Sequence, residues 1–220
     1  MSPSPAAVAF DLDETLAVTV RDRQTLLDVA ADRAEAPGID RAAYLEAHGD
    51  VAATDTREPI FDALLTGEAD VDPAELATAY RRAIEDDLEP LAGAADLVTD
   101  LRERTRVGLL TDGPVAAQRG KLRELGWEDL FDAVVITGEL PAGKPDERAF
   151  RAICDALDAA PADTVYVGDR PDVDVEGAAA AGLGTVQVLY DGGPPPTPAA
   201  DATIERSRLV AALPALLADR

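Results

Sequence analysis

Short apolar segments alternate with helix-like segments along the second half of the chain, and this alternation restricts its fold more than any other feature. Strands are predicted at 107–110, 133–136, 164–167 and 185–189. Helices are predicted at 94–104, 116–125, 146–157 and 173–181. Strands joined by helices favour right-handed crossovers and a mainly parallel sheet with helices on both faces. With a further apolar run at 8–10, the sequence predicts an α/β fold with a Rossmann-like, doubly wound core.

A helical segment interrupts this pattern after the first strand. From residue 21 to about residue 88 the apolar residues follow helical spacing, and they predict four helices around Leu26, Tyr44, Ile60 and Leu76. We therefore predict an inserted helical bundle at 17–88 and a core domain made of 1–16 and 89–220. A closing helix is predicted at 209–218.

The charge of the chain excludes several classes of partner. The 220 residues carry 43 acidic and 20 basic side chains, a net charge of −23. Nucleic acids and anionic membranes require basic surfaces, so we expect neither as a partner. No apolar run approaches the roughly 20 residues that span a bilayer, and a cytoplasmic location is expected. The acidic, lysine-poor composition resembles that of proteins from salt-accumulating microbes, which predicts a halophilic protein.

Two aspartates follow the first predicted strand. Asp11 and Asp13 are two residues apart on an extended segment, so both carboxylates can face one pocket. One carboxylate can attack phosphorus and a second can move the proton of the leaving group. In so acidic a chain, these two residues taken alone favour a solvated acidic loop.

The next two predicted strands also end in groups suited to phosphate. Thr111, Asp112 and Gly113 form a turn whose hydroxyl and backbone amides can donate to phosphate oxygens. Lys144 follows the third strand, before a helix, and can supply a positive charge to a phosphate and to a carboxylate nucleophile. Because Lys121 and Lys144 are the only lysines, a functional role for Lys144 and a solvated loop lysine are both open interpretations.

The fourth predicted strand ends in a second group of carboxylates. Asp169 follows it directly and Asp174 lies five residues later, with Asp172 between them. Carboxylates that a single lysine cannot neutralise call for a cation, and hard oxygen ligands favour Mg²⁺. Asp172 is left out of the predicted site as a turn residue.

Four such motifs, in order, at the ends of four successive strands resemble the haloacid dehalogenase-like hydrolase superfamily, whose members are mostly magnesium-dependent phosphatases. The resemblance covers about 7–17 and 89–190, and the helical insert is similar to the family's helical cap. The most specific motif is Asp-x-Asp-x-Thr after an apolar strand. Glu14 stands where the family commonly has glycine, and Asp112 where asparagine is frequent.

The resemblance implies a role for each catalytic residue. Asp11 would be the nucleophile, and Asp13 the general acid and base. Thr111 and Lys144 would bind the phosphate, together with the turn at 112–113, that is Asp112 and Gly113.

The resemblance also implies a metal site. Its ligands would be Asp11, Asp169, Asp174 and the backbone carbonyl of Asp13. An alkoxide leaving group needs a proton whereas a halide does not, so Asp13 favours phosphoester hydrolysis over dehalogenation.

The sequence thus predicts a magnesium-dependent phosphatase that acts on a small phosphorylated metabolite and is a monomer or a homodimer. Two alternatives stay open: a sugar phosphomutase, which returns the same aspartyl-phosphate to a sugar, and a non-catalytic phosphate-binding regulatory module.

Several other polar residues receive weaker assignments. His48 is predicted to be a surface residue, Lys121 to lie on the exposed face of a helix, and Cys154 to be a small apolar helix residue. Four arginines of the insert can meet an anionic substrate or pair with nearby acids: Arg21, Arg23, Arg81 and Arg82.

Overall fold

The protein is described here by a computed structural model covering residues 5–50, 56–65 and 71–218. The strands are β1 (Ala7–Phe10), β2 (Ala17–Thr19), β3 (Leu88–Pro90), β4 (Arg106–Thr111), β5 (Ala133–Ile136), β6 (Thr164–Gly168), β7 (Gly184–Leu189) and β8 (Ala202–Glu205). The helices are α1 (Arg23–Arg33), α2 (Arg41–Asp50), α3 (Glu58–Leu64), α4 (Pro73–Glu85), α5 (Ala94–Arg102), α6 (Val115–Glu124), α7 (Glu147–Ala156), α8 (Glu176–Ala180) and α9 (Leu209–Ala218).

Six strands form one parallel sheet, which confirms the predicted doubly wound core. Their order is β5-β4-β1-β6-β7-β8. The chain moves outward from β1 in one direction through β4 and β5, and then returns to pair β6 with the other edge of β1. Ligands of such sheets bind beyond the carboxyl ends of the strands at this reversal of direction.

The central strand β1 shows why the sheet needs helices on both faces. All four of its residues are fully buried. Val8 and Phe10 pack into the apolar cluster that includes α5 and α9, whereas Ala7 and Ala9 pack into the cluster of α7. Side chains alternate along a strand, so a strand without a polar face must be covered twice.

The segment between β1 and the rest of the core contains the four predicted helices. Helices α1 to α4 share one apolar cluster whose aromatic members pack edge to face, with the rings of Tyr44 and Phe61 at 5.4 and 5.9 Å from that of Tyr80. Strands β2 and β3 pair antiparallel where the chain leaves and re-enters the core. These two strands were not predicted, since three residues are too few to show a periodicity.

The structure differs from the prediction at two further places. Strand β8 at the sheet edge was not predicted. Its exposed residues Thr203 and Glu205 alternate with less exposed ones, but a segment of four residues is too short to show this alternation in the sequence. The helix predicted at 173–181 is instead a short π-helical turn at 171–175 followed by α8. In the described ranges, none of the helices combines the length and the apolar character needed to cross a membrane.

Candidate active site

Asp11 and Asp13 lie at the carboxyl end of β1, with both carboxylates at the same cleft. The Asp11 amide donates to the carbonyl of Val167 at 2.9 Å, which extends the pairing of β1 with β6. Leu12 between them is fully buried and fixes the alternation of the two side chains. The chain then turns at Glu14, whose φ of 59° places it in the left-handed region.

Lys144 lies in the middle of the site. Its side chain is fully buried, and its Nζ donates to Asp11 Oδ1 at 2.8 Å, to Asp174 Oδ1 at 2.6 Å and to the Tyr166 hydroxyl at 2.9 Å. Tyr166 in turn donates to the carbonyl of Leu110 at 3.0 Å. Burial lowers the pKa of Lys144, but the charges of Asp11 and Asp174 raise it well above its ordinary value. The residue is therefore a permanent buried cation.

Three carboxylates meet beside this lysine. Oxygen atoms of Asp11, Asp169 and Asp174 lie within 4.8 Å of one another, and all three residues are buried. Burial, together with the charge of Asp174, raises the pKa of Asp11 to about 6, although Lys144 opposes the shift. Burial and the charges of Asp11 and Asp174 raise the pKa of Asp169 to about 7. A crowded set of hard oxygen donors fits a Mg²⁺ ion.

A glycine allows this close approach. A Cβ atom on Gly168 would lie 2.7 Å from the side chain of Asp174. Despite burial, Lys144 and Arg170 lower the pKa of Asp174, so this carboxylate is charged.

The turn after β4 supplies the predicted phosphate-binding groups. Thr111 is buried, and its Oγ1 has no hydrogen-bond partner among the residues that the structure describes. Gly113 has a φ of 132°, which favours glycine, and its amide donates to Thr137 Oγ1 at 3.3 Å. The Asp112 carboxylate accepts from the amide of Lys144 at 3.1 Å. Its side chain therefore positions the Lys144 loop, and only its backbone is suited to bind phosphate.

Lys121 is where the sequence prediction was wrong. The residue was expected on the exposed face of a helix, yet it is 2% exposed and its Nζ lies 2.5 Å from Asp13 Oδ2. Helix α6 turns Lys121 and Gln118, which are three positions apart, toward the cleft. That spacing of polar residues just after the 111–113 turn was the available signal.

This ion pair affects both partners. Burial raises the pKa of Asp13, but the charges of Lys121 and Arg23 lower it well below its ordinary value. Burial lowers the pKa of Lys121, and the charge of Asp13 only partly offsets the shift. The Asp13 carboxylate is therefore ionised at neutral pH.

Arg170 is a site residue that sequence reasoning missed. Its Nη2 lies 3.0 Å from Asp112 Oδ2, and its amide donates to Asp174 Oδ2 at 3.0 Å. The guanidinium also lies near Asp174, with its Nε 3.7 Å from Oδ2, so it joins two carboxylates at the cleft. Its position directly after Asp169 was the only sign in the sequence.

The site opens into a cleft of about 710 Å³ between the strand ends and the helical insert. Of the four candidate arginines, the structure brings only Arg23 to this cleft. Arg21 pairs with Asp87 at 2.6 Å and Arg81 pairs with Glu85 at 2.8 Å. Two further arginines that were not predicted, Arg41 and Arg57, line the insert side.

The remaining predicted residues have mixed outcomes. His48 is exposed, as predicted, but it lines the cleft. Asp172 is exposed and does not line it. Cys154 is a buried free thiol on α7, packed with apolar residues as predicted.

Comparisons with known proteins give consistent results. The family model described as haloacid dehalogenase-like hydrolase matches residues 5–182. A glyceraldehyde 3-phosphate phosphatase of Methanopyrus kandleri is 30% identical over 193 residues, which cover 83% of each chain. An N-acylneuraminate-9-phosphatase of Rattus norvegicus is 39% identical over 102 residues, 46% of this chain and 41% of that enzyme. The chain thus spans less than half the length of this curated relative.

The fold is also found in solved structures. The HAD-hydrolase YfnB of Bacillus subtilis, determined with magnesium bound, superposes with a TM-score of 0.72 at 22% identity. The superposition covers 98% of this chain and 99% of YfnB. At this identity the likeness concerns the fold alone. The family match across the site and the core, however, is decisive: the chain belongs to the haloacid dehalogenase-like hydrolase family.

Proposed function

We propose that this protein is a magnesium-dependent phosphatase that hydrolyses a small phosphorylated metabolite through an aspartyl-phosphate on Asp11. The observation that carries the proposal is the buried Asp11 carboxylate between Lys144 and a second carboxylate, Asp13, at the floor of one cleft. The relatives named above are phosphatases by name, which supports this reaction over others of the family.

In this proposal the first step is an attack by Asp11. Its Oδ1 accepts from Lys144, whereas Oδ2 makes no hydrogen bond to any described part of the chain. Oδ2 is therefore the oxygen that attacks phosphorus, forming the acyl-phosphate bond as the bond to the leaving alkoxide breaks. Lys144 and the unpaired hydroxyl of Thr111 are placed to bind the phosphoryl oxygens.

Asp13 handles the protons of both steps. Asp13 is ionised in the free site, and a bound phosphate dianion raises its pKa, so the carboxylate takes up a proton from solvent when substrate binds. It then gives that proton to the leaving alkoxide. The carboxylate left behind then takes the proton of the water that cleaves the acyl-phosphate. Lys121 holds the Asp13 side chain in place between these transfers.

The metal would be held by Asp11, Asp169, Asp174 and the backbone carbonyl of Asp13. When bound, Mg²⁺ would neutralise the charge of the carboxylates and of the phosphate that lies against them. We expect a complete loss of turnover after chelation and its recovery on addition of Mg²⁺. Full activity in the chelated protein would overturn the metal assignment.

The test of the nucleophile is Asp11→Asn, assayed with an aryl phosphate such as p-nitrophenyl phosphate. We expect no turnover and an unchanged circular dichroism spectrum. The matched control is Asp172→Asn, which removes the same charge from an exposed neighbour and should keep normal activity. Near-normal activity of Asp11→Asn would refute the aspartyl-phosphate mechanism.

Measurements of phosphate release and of phosphoryl transfer separate the phosphatase from the two alternatives. A non-catalytic phosphate-binding module would bind phosphate without releasing it from any ester. A sugar phosphomutase would transfer the phosphoryl group between sugar phosphates in the presence of a bisphosphorylated sugar. Release of inorganic phosphate without such transfer supports the phosphatase. A cytoplasmic location and a monomeric or homodimeric state remain predictions.

A further inference from the structure

The side of the cleft that faces the phosphate site is unusually basic for so acidic a protein. The described residues of the insert that line the cleft are Arg23, Arg41, Leu45, His48, Thr56, Arg57 and Ile60. Three are arginines and none is acidic, although acids outnumber bases 43 to 20 in the whole chain. Random placement of charges would favour the opposite sign at this wall.

The cations on the core side of the cleft are already neutralised. Lys144 is bound to Asp11 and Asp174, and Lys121 to Asp13. Arg170 is bound to Asp112. The core side therefore has enough carboxylate to balance its own basic residues.

The insert arginines are different. Arg23 makes only a long contact of 3.4 Å with Asp13. Arg41 and Arg57 form no ion pair with a carboxylate anywhere in 5–50, 56–65 and 71–218. Two guanidinium groups at one cleft that lack a carboxylate partner in the described part of the chain are available to an anion from outside the chain.

Of the three arginines, Arg57 has the features best suited to binding an anion. Its guanidinium lies over the ring of Tyr80, 5.6 Å from the centroid, which fixes its orientation. Its Nε is buried and has no hydrogen-bond partner among the described residues. A buried donor without a partner is costly, and a ligand carboxylate or phosphate would satisfy it with the paired geometry that a guanidinium favours.

We propose that the substrate is a phosphomonoester with a second anionic group, which Arg57, with Arg23 and Arg41, binds opposite the phosphate site. The inference rests on the proposed phosphatase function and names its substrate class. The second group is a carboxylate or a second phosphate, since a guanidinium binds both in the same way. A cleft of about 710 Å³ suits a molecule of the size of a small sugar phosphate.

The test compares esters that differ only in the second anion, at constant ionic strength. One pair is 3-phosphoglycerate and glycerol 3-phosphate, and the other is fructose 1,6-bisphosphate and fructose 6-phosphate. We expect kcat/KM of the wild type to be higher, by roughly tenfold or more, for the member of one pair that carries the second anionic group. The pair that shows the preference distinguishes a carboxylate from a second phosphate.

The variants then assign the preference. Arg57→Gln should bring the ratio within that pair close to one, and Arg57→Lys, which keeps the charge but loses the planar fork, should give an intermediate ratio. The matched control is Arg82→Gln, which removes an exposed arginine of α4 that does not line the cleft, and it should leave the ratio unchanged. Thermal unfolding of each variant checks that the fold is intact.

Two outcomes would overturn the inference. One is an equal kcat/KM for both members of both pairs in the wild type. The other is an equal loss for both members in Arg57→Gln, which would assign Arg57 to the transferred phosphate or to folding. If p-nitrophenyl phosphate is hydrolysed but neither pair of esters shows a preference for the second anion, only this inference is refuted. If no ester is hydrolysed, the proposed function is refuted as well.

Discussion

Replacing Lys121 with methionine tests the ion pair that the sequence did not predict. Methionine keeps most of the apolar length of the side chain, so the change removes mainly the ammonium group that contacts Asp13 Oδ2. We expect a less stable protein and lower phosphatase activity, because Asp13 would lose the partner that orients it.

The magnitude follows from the exposure of the two partners. Removing one member of a fully buried ion pair costs about 3–5 kcal/mol, since the other charge stays buried alone. The Lys121 side chain is 3% exposed, but that of Asp13 is 28% exposed, so water can replace part of the interaction. We therefore expect a loss of roughly 2 kcal/mol in the free energy of unfolding. In a chain of this size that loss lowers Tm by roughly 4–8 °C.

Urea unfolding followed by circular dichroism is the assay, with the midpoint and the slope measured for each variant. The matched control is Arg123→Met, on the same helix, whose side chain is 68% exposed. A double-mutant cycle with Asp13→Asn isolates the pair: Lys121→Met should cost less once the carboxylate is gone. An equal and small loss in Lys121→Met and Arg123→Met, below about 0.5 kcal/mol, would refute the buried pair and restore the prediction of a solvated helix residue.

Three further predictions concern the site, the pH dependence and the salt dependence. Lys144→Ala should abolish measurable turnover, and Lys144→Arg should recover only part of it, because three acceptors at 2.6–2.9 Å surround a compact ammonium. The measurement is turnover with an aryl phosphate, and wild-type activity in Lys144→Ala would contradict the assignment. Although burial raises the pKa of Asp132, hydrogen bonds from the amide of Val107 at 2.8 Å and from Arg102 lower it below its ordinary value. A lowered folded pKa stabilises the protein fully above the unfolded pKa of about 4, and the contribution is lost as the pH falls through the folded value. The free energy of unfolding, measured at several pH values, should therefore be about 1 kcal/mol lower for Asp132→Asn than for the wild type near pH 7, and the difference should vanish in strong acid. A difference that is constant with pH would contradict the linkage. Because the net charge is −23, raising salt from low to molar concentration should raise both Tm and kcat/KM to a plateau, and a decrease of Tm with salt would contradict the halophilic interpretation.

Much of the fold could be predicted because its signals are local. The strand at 164–167 and the helix at 146–157 correspond to β6 and α7 within one residue at each end. Both segments are long enough to show their period, and turn residues bound them. The short strands β2 and β3 could not be predicted, since they form only when two segments about 70 residues apart in the chain meet.

The candidate site, too, was predictable only where its signals are local. Asp11, Thr111 and Asp169 were identified because each follows an apolar strand, and the carboxyl ends of parallel strands meet at one edge of the sheet. That argument needs only the order of strands and helices along the chain. It places backbone positions, and it does not say which way a helix turns its side chains.

The sequence by itself determined five of the six strands of the parallel sheet, the ends of those strands and the residue types gathered there, because hydrophobic periodicity and turn chemistry act over a few residues. Only the tertiary structure decided that Lys121 is buried against Asp13, 108 residues away, and that Arg57 faces the cleft without a carboxylate partner among the described residues. Whether a polar side chain is solvated or paired depends on the groups that packing brings within a few ångströms of it. In an acidic chain whose basic residues can pair with many different carboxylates, those neighbours are set by the way the helices and strands pack against one another.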